Sequence, residues 1–210
     1  MTPRTLHPGR RPAVLAAIDW IDALTMAVGR ASGWLIVVLT AVICFEVYSR
    51  YLLGSPNDWV FDASYMLFGT MFMLAGAYTL AQDGHVRGDF MYGSFTPRQQ
   101  AGLDMALYLA FFMPGVAALV WAGYGFALDS WAIREGSPLV PDGPPQYPFK
   151  TVIPVAGGLL LLQGAAEILR CAVCLATGAW PPRRGDAREV DVDRLRAQLR
   201  QPPAAGGRPS

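Results

Sequence analysis

Four long apolar blocks constrain this chain more than any other feature. They cover roughly residues 32–53, 59–81, 103–131 and 149–176. Each reaches the roughly 20 residues that a helix rising 1.5 Å per residue needs to cross about 30 Å of hydrocarbon. Lipid offers no partner to backbone N–H and C=O groups, so such blocks must be helices that satisfy their own backbone. The expected fold is an all-α integral membrane protein with four transmembrane helices and an N-terminal interfacial amphipathic helix. Composition agrees: 53% of residues are hydrophobic and only 16% charged, against about 25% charged in soluble domains. The third and fourth blocks are long enough to tilt or to project from the bilayer. Pro114 lies inside the third and is expected to kink it. Trp34, Trp59, Trp121, Trp131 and Trp180 mostly fall near block ends, as interface anchors do.

The flanks divide the chain further. Residues 1–30 form a cytoplasmic N-terminus, polar and disordered over 1–11. From Pro12 to Arg30, Val14, Ala17, Ile18, Ile21, Leu24 and Val28 recur at spacings of three and four, with Asp19 and Asp22 on the other side. Two aspartates make a poor spanning helix. A helix lying on the membrane surface is the favoured reading, and an ordinary cytosolic amphipathic helix the competing one. No cleavable signal peptide stands out, so the first span is expected to act as an uncleaved anchor. Residues 31–178 form the four-helix domain. Residues 179–210 form an arginine-rich cytoplasmic tail, disordered or with one short charged helix over 186–200.

Charge placement sets the orientation. Fourteen of the Lys and Arg residues lie in the N-terminal segment, in the 82–102 loop, or in the tail together with Arg170 at the inner end of the fourth span. Only Arg50, Arg134 and Lys150 lie in or beside the two other loops. Both termini and the 82–102 loop are therefore expected to be cytoplasmic. The proline- and glycine-rich stretch from Arg134 to Pro148 becomes an irregular cap on the outer side.

Polar residues near the spans are the candidates for function. Glu46 and Arg50 are four apart, share a helix face, and stand in the favourable order of acid before base. Asp58 and Asp62 begin the second span and reach the same outer region. One reading is a proton or substrate carboxylate site. The favoured one is a structural ion pair that packs the first span against the second or a partner, because Arg50 neutralises Glu46. The run Asp83-Gly84-His85-Val86-Arg87-Gly88-Asp89 follows the second span. Arg87 disfavours a metal there, which leaves a polar turn or a docking surface. Gln163, Glu167 and Arg170 sit in the inner part of the fourth span, where a structural role near the headgroups suffices. Cys171 and Cys174 read as small packing residues rather than a redox pair, and Cys44 leaves an odd count against a disulfide framework. The two histidines, His7 and His85, lie outside the spans, which removes a bis-histidine haem. No phosphate-cradling glycine loop and no nucleophile motif occurs, so no enzyme is expected. The basic tail lacks the aromatic interleaving of a nucleic-acid binder.

Several of these residues form a pattern by order and spacing. Glu46-x3-Arg50-Tyr51-Leu52 closes the first span and Ser55-Pro56-x2-Trp59 leads into the second. The second ends in Gly76-Ala77-Tyr78-Thr79-Leu80, and Gly84-His85-Val86-Arg87-Gly88-Asp89 follows. Pro97-Arg98, Pro148-x-Lys150 and Gln163 come later. Over roughly residues 30–172 the chain resembles the small membrane subunit, DctQ-like, of tripartite ATP-independent periplasmic (TRAP) transporters. The long 134–148 loop, the extended tail and Gly88, where the family often has valine, depart from the pattern.

The resemblance implies an accessory subunit of a sodium-coupled secondary transporter in a bacterial inner membrane. A large membrane subunit would carry the solute and sodium, and a periplasmic binding protein would deliver the solute, often an organic acid. The small subunit would brace the large one and help dock the binding protein, with no catalytic residue, cofactor or metal of its own. Its partner-packing or docking residues would be Glu46, Arg50, Asp58, Trp59, Asp62, His85, Arg87 and Asp89. Gly69, Ala75, Gly76 and Ala77 suit close helix approach in the second span. The alternatives are a self-sufficient proton-coupled exporter using Glu46, and a membrane anchor or enzyme subunit.

Overall fold

A computed structural model describes residues 13–82, 95–141 and 143–181. Residues 1–12, the 83–89 run with His85, Arg87 and Asp89, and nearly all of the tail lie outside the described residues. Those described are helical apart from connections and chain ends. The helices are α1 (Ala13–Gly33), α2 (Leu35–Leu52), α3 (Trp59–Ala81), α4 (Pro97–Leu107), α5 (Met113–Ile133) and α6 (Tyr147–Thr177). Four helical stretches are long and apolar enough to cross a membrane: Ala13–Leu52, Trp59–Ala81, Pro97–Ile133 and Tyr147–Thr177.

Local chemistry explains the boundaries. Gly54 adopts a left-handed conformation just past α2, as glycine does at a helix end. Thr96 and Gln99 form a capping box at the start of α4, with Pro97 in its first turn, where its missing N–H does no harm. Gly178, also left-handed, closes α6 with its N–H on the Cys174 carbonyl at 2.7 Å. The disturbance expected at Pro114 takes the form of a π-helical segment, Tyr108–Phe112, between α4 and α5. Proline cannot donate to a carbonyl four residues back and its ring crowds it; the wider turn relieves both.

The spans form an open row. α2 packs on α3, α3 on α6 and α6 on α5, while no substantial contact joins α2 to α5. α1 continues into α2 through Trp34, whose N–H bonds the Ala31 carbonyl at 3.1 Å. It packs against α3 and α6. Its surface does not divide as the sequence pattern predicts. Asp22 does not face away from the protein: Ile18, Asp22, Thr25 and Ser32 are the buried residues of this helix, while Val14 and Trp20 face outward. An ion partner on α6 makes this inward aspartate tolerable.

Close approach replaces bulk between the helices. A Cβ on Gly29 would lie 2.4 Å from the Tyr78 Cβ; one on Gly69, 2.8 Å from Phe149; and one on Gly157, 2.6 Å from Val120. Gly69 and the fully buried Ala77 serve the approach expected of them, whereas Gly76 is looser, with Leu160 at 3.9 Å. Cys171 and Cys174 pack with Ala101, Met105 and Trp180 where α4 meets α6, and both are free thiols. Gly29→Ala should force α1 off α3, because the atom it meets belongs to the base of a side chain. Overpacking of this kind typically costs about 1–3 kcal/mol. Thermal unfolding in detergent should show the loss for Gly29→Ala and almost none for Gly125→Ala, which has open space around it.

Candidate functional site

Three polar assemblies are built onto this frame. The first is buried between α1 and α6. Arg170 Nη2 pairs with Asp22 Oδ2, and its Nε lies 3.5 Å from Glu167 Oε1. Gln163 Nε2 donates to Asp22 Oδ1 at 3.0 Å and to Glu167 Oε1 at 3.3 Å. All four residues are at most 2% exposed. Gln163, Glu167 and Arg170 lie at i, i+4 and i+7, so α6 presents them on one face. Helical spacing alone groups these three near the headgroups and gives no place among them to Asp22. The protein itself shields them. The missed signal is the spacing of Ile18, Asp22, Thr25, Gly29 and Ser32, which puts polar and small residues on one stripe of α1.

The second assembly ties α2 to α3. Arg50 bonds Glu46 through Nε at 2.9 Å and Nη2 at 2.7 Å. Glu46 Oε2 also accepts the backbone N–H and the side-chain amide of Asn57, each at 3.1 Å. Asn57 Nδ2 reaches Ser49 Oγ at 3.0 Å, and Ser49 donates to the Ser55 carbonyl at 2.5 Å. The expected Glu46–Arg50 pair is present and fastens the turn between the first two spans. Trp59 stands at the start of α3 with its ring 6.4 Å from Phe45. Asp58 is exposed and has no hydrogen bond or ion pair among the described residues.

The third assembly closes the same end of the row. Lys150 pairs with Glu135 and lies 3.9 Å from the centre of the Phe126 ring. Gln146 donates its backbone N–H to the Glu135 carbonyl at 2.9 Å and its side-chain amide to the Tyr65 hydroxyl. Trp131 donates to Thr151 Oγ1 at 2.8 Å, and its ring lies 4.4 Å from that of Tyr147 at a tilt of 59°. The proline-rich connection is irregular, as expected, but it is fastened at both ends. Asp62 lies under it, fully buried, with no hydrogen-bond partner for either carboxylate oxygen among the described residues. A Cβ on Gly143 would lie 2.9 Å from Asp62 Oδ2 and 3.0 Å from Ser137 Oγ. Asp58 and Asp62 therefore separate: Asp58 lines an open groove with Glu46 and Arg50, and Asp62 is buried beneath the loop. Among the described residues no group of three or more His, Cys, Asp or Glu side chains is set to hold a metal ion.

The α-helical spans with internal polar fixings define a multi-pass membrane protein. Residues 39–174 match the family described as tripartite ATP-independent periplasmic transporters, DctQ component. This is most of the chain, and the chain belongs to that family, which is a transporter component and not an enzyme family. It is thus a small TRAP transporter subunit. None of the curated proteins compared with it matches.

Two outcomes follow from these assemblies. Removing one partner of a buried ion pair strands the other charge and costs about 3–5 kcal/mol. Arg170→Leu should therefore lower stability in detergent by about that much, and Asp22→Leu combined with Arg170→Leu should recover part of the loss. The Lys150 hydrogen bond holds the Glu135 carboxyl below its ordinary value of 4.5 against the opposing effect of burial. A carboxyl depressed in the folded state binds fewer protons than in the unfolded state. Its contribution is full above the ordinary value and disappears as pH falls through the lowered one. As pH falls below about 4.5, wild type should lose more stability than Glu135→Gln does.

Proposed function

We propose that this chain braces the large membrane subunit of a sodium-coupled, binding-protein-dependent transporter for an organic acid or a similar solute. In this reading both termini face the cytoplasm across a bacterial inner membrane. The 134–146 loop faces the periplasm, where it helps to dock the binding protein. Sodium and solute are carried by the large subunit and none is held by this chain. α1, with Val14 and Trp20 facing outward, rests at the cytoplasmic boundary of the membrane.

The observation that carries this reading is the family match over residues 39–174. The arrangement of side chains supports it. Asp22, Gln163, Glu167 and Arg170 engage one another, and Glu46 is engaged by Arg50 and Asn57. An exporter needs a carboxylate that exchanges protons, and Glu46 instead accepts fixed hydrogen bonds that hold a turn. The open row leaves α2 nearly unburied, with Leu39 and Ser49 as its buried residues. Such a helix has surface to give to a large helical partner.

Deletion of the chain should abolish solute uptake by whole cells, and the tagged chain should co-purify with a large multi-spanning protein. Uptake that survives the deletion would refute the reading. Glu46→Gln, which weakens the α2–α3 turn, should lower the amount of large subunit recovered while transport per assembled complex stays unchanged.

A further inference from the structure

The groove beside Glu46, Arg50 and Asp58 has a use that the assembly role does not require. It has a volume of about 480 Å³ and lies between α2, the start of α3 and residues 139–141. That volume falls within the roughly 300–1,000 Å³ typical of small-ligand sites. Its walls are apolar: Ile43, Val47, Val60, Phe61, Leu139 and Val140. Its rim is polar. We propose that this groove binds a zwitterionic phospholipid with an ethanolamine headgroup, its phosphate on Arg50, its ammonium on Asp58 and an acyl chain along Ile43, Val47 and Phe61.

The chemistry of the rim selects this ligand. Arg50 directs its Nε and Nη2 atoms at Glu46, which leaves the other edge of a planar fork able to donate to a second oxyanion. Its side chain is 52% exposed, so that edge is accessible. Asp58 supplies a carboxylate with no partner among the described residues, suited to an ammonium that donates hydrogen bonds. Choline cannot donate them. Glu46 and Asp58 outweigh Arg50, so the rim is net acidic and disfavours an anionic headgroup. The depth is right as well, because the rim lies at the span ends beside Trp59, a residue type enriched at headgroup level. Ile43, Val47 and Phe61 are 45%, 51% and 66% exposed, so the apolar wall is open to an acyl chain lying alongside the helices.

The test uses the isolated full-length chain in detergent, with retained lipid counted by native mass spectrometry. Dioleoyl-phosphatidylethanolamine, dioleoyl-phosphatidylcholine and dioleoyl-phosphatidylglycerol are offered in turn. One phosphatidylethanolamine should be retained under conditions that strip the other two. Asp58→Asn and Arg50→Gln should each reduce its retention on the order of tenfold, the loss of one charge-assisted contact. Ile43→Trp should fill the groove and displace the lipid with the rim intact. Asp58 has no partner among the described residues, so Asp58→Asn should unfold at the wild-type temperature. Equal retention of phosphatidylglycerol, or full retention by Ile43→Trp or Asp58→Asn, would overturn the proposal. So would displacement by soluble glycerophosphoethanolamine, which carries the headgroup without acyl chains, or no retention at all, as expected if a partner's side chain fills the groove. The measurement needs no large subunit and no transport, so its failure leaves the accessory-subunit reading untouched.

Discussion

Asp22 and Arg170 meet where neither has access to water, and the arrangement of the helices depends on that meeting. Between helices already in lipid, burying apolar surface supplies little attraction, because the acyl chains are as apolar as leucine. Close packing and polar contacts must hold them together. The ion pair joins α1 to α6 across most of the length of the sequence, and Gln163 and Glu167 share its hydrogen bonds. Where α1 also meets α3, Gly29 lets the backbone come within reach of Tyr78. A helix with two aspartates can therefore lie against the spans, with one of them neutralised inside the protein.

The far end of the row uses the same means on two connections. Glu46, Arg50 and Asn57 fix the short α2–α3 turn. Glu135, Gln146, Lys150 and Trp131 fix the longer 134–146 connection to α6 and α3. These fixings are local, and no seam closes α2 onto α5. A single chain thus presents an open layer with broad apolar faces. That suits a subunit completed by another membrane protein more than one that encloses a solute path.

Much of this was legible beforehand. The four spans differ from expectation by only a few residues at most ends, because length and apolar composition alone decide what can cross hydrocarbon. The Glu46–Arg50 and Glu167–Arg170 pairs followed from helical spacing. Asp22 did not. Its partner lies on another helix, and the pattern of apolar residues on α1 placed both aspartates together on a polar side. Asp62 likewise separated from Asp58, though both lie at the start of one helix. The groove at Asp58 and the cover over Asp62 both involve the 134–146 connection, whose path no periodicity reveals.

The sequence by itself determined the class of fold, the number of spans and the family, since these follow from blocks of apolar residues and from motifs contiguous along the chain. Tertiary structure alone decided that α1 turns Asp22 inward, that the spans form a row, and that the groove beside Glu46, Arg50 and Asp58 exists. The reason is physical. A helix carries its own backbone hydrogen bonds and so can be read locally, whereas the partner of a buried charge and the walls of a groove come from segments distant in sequence.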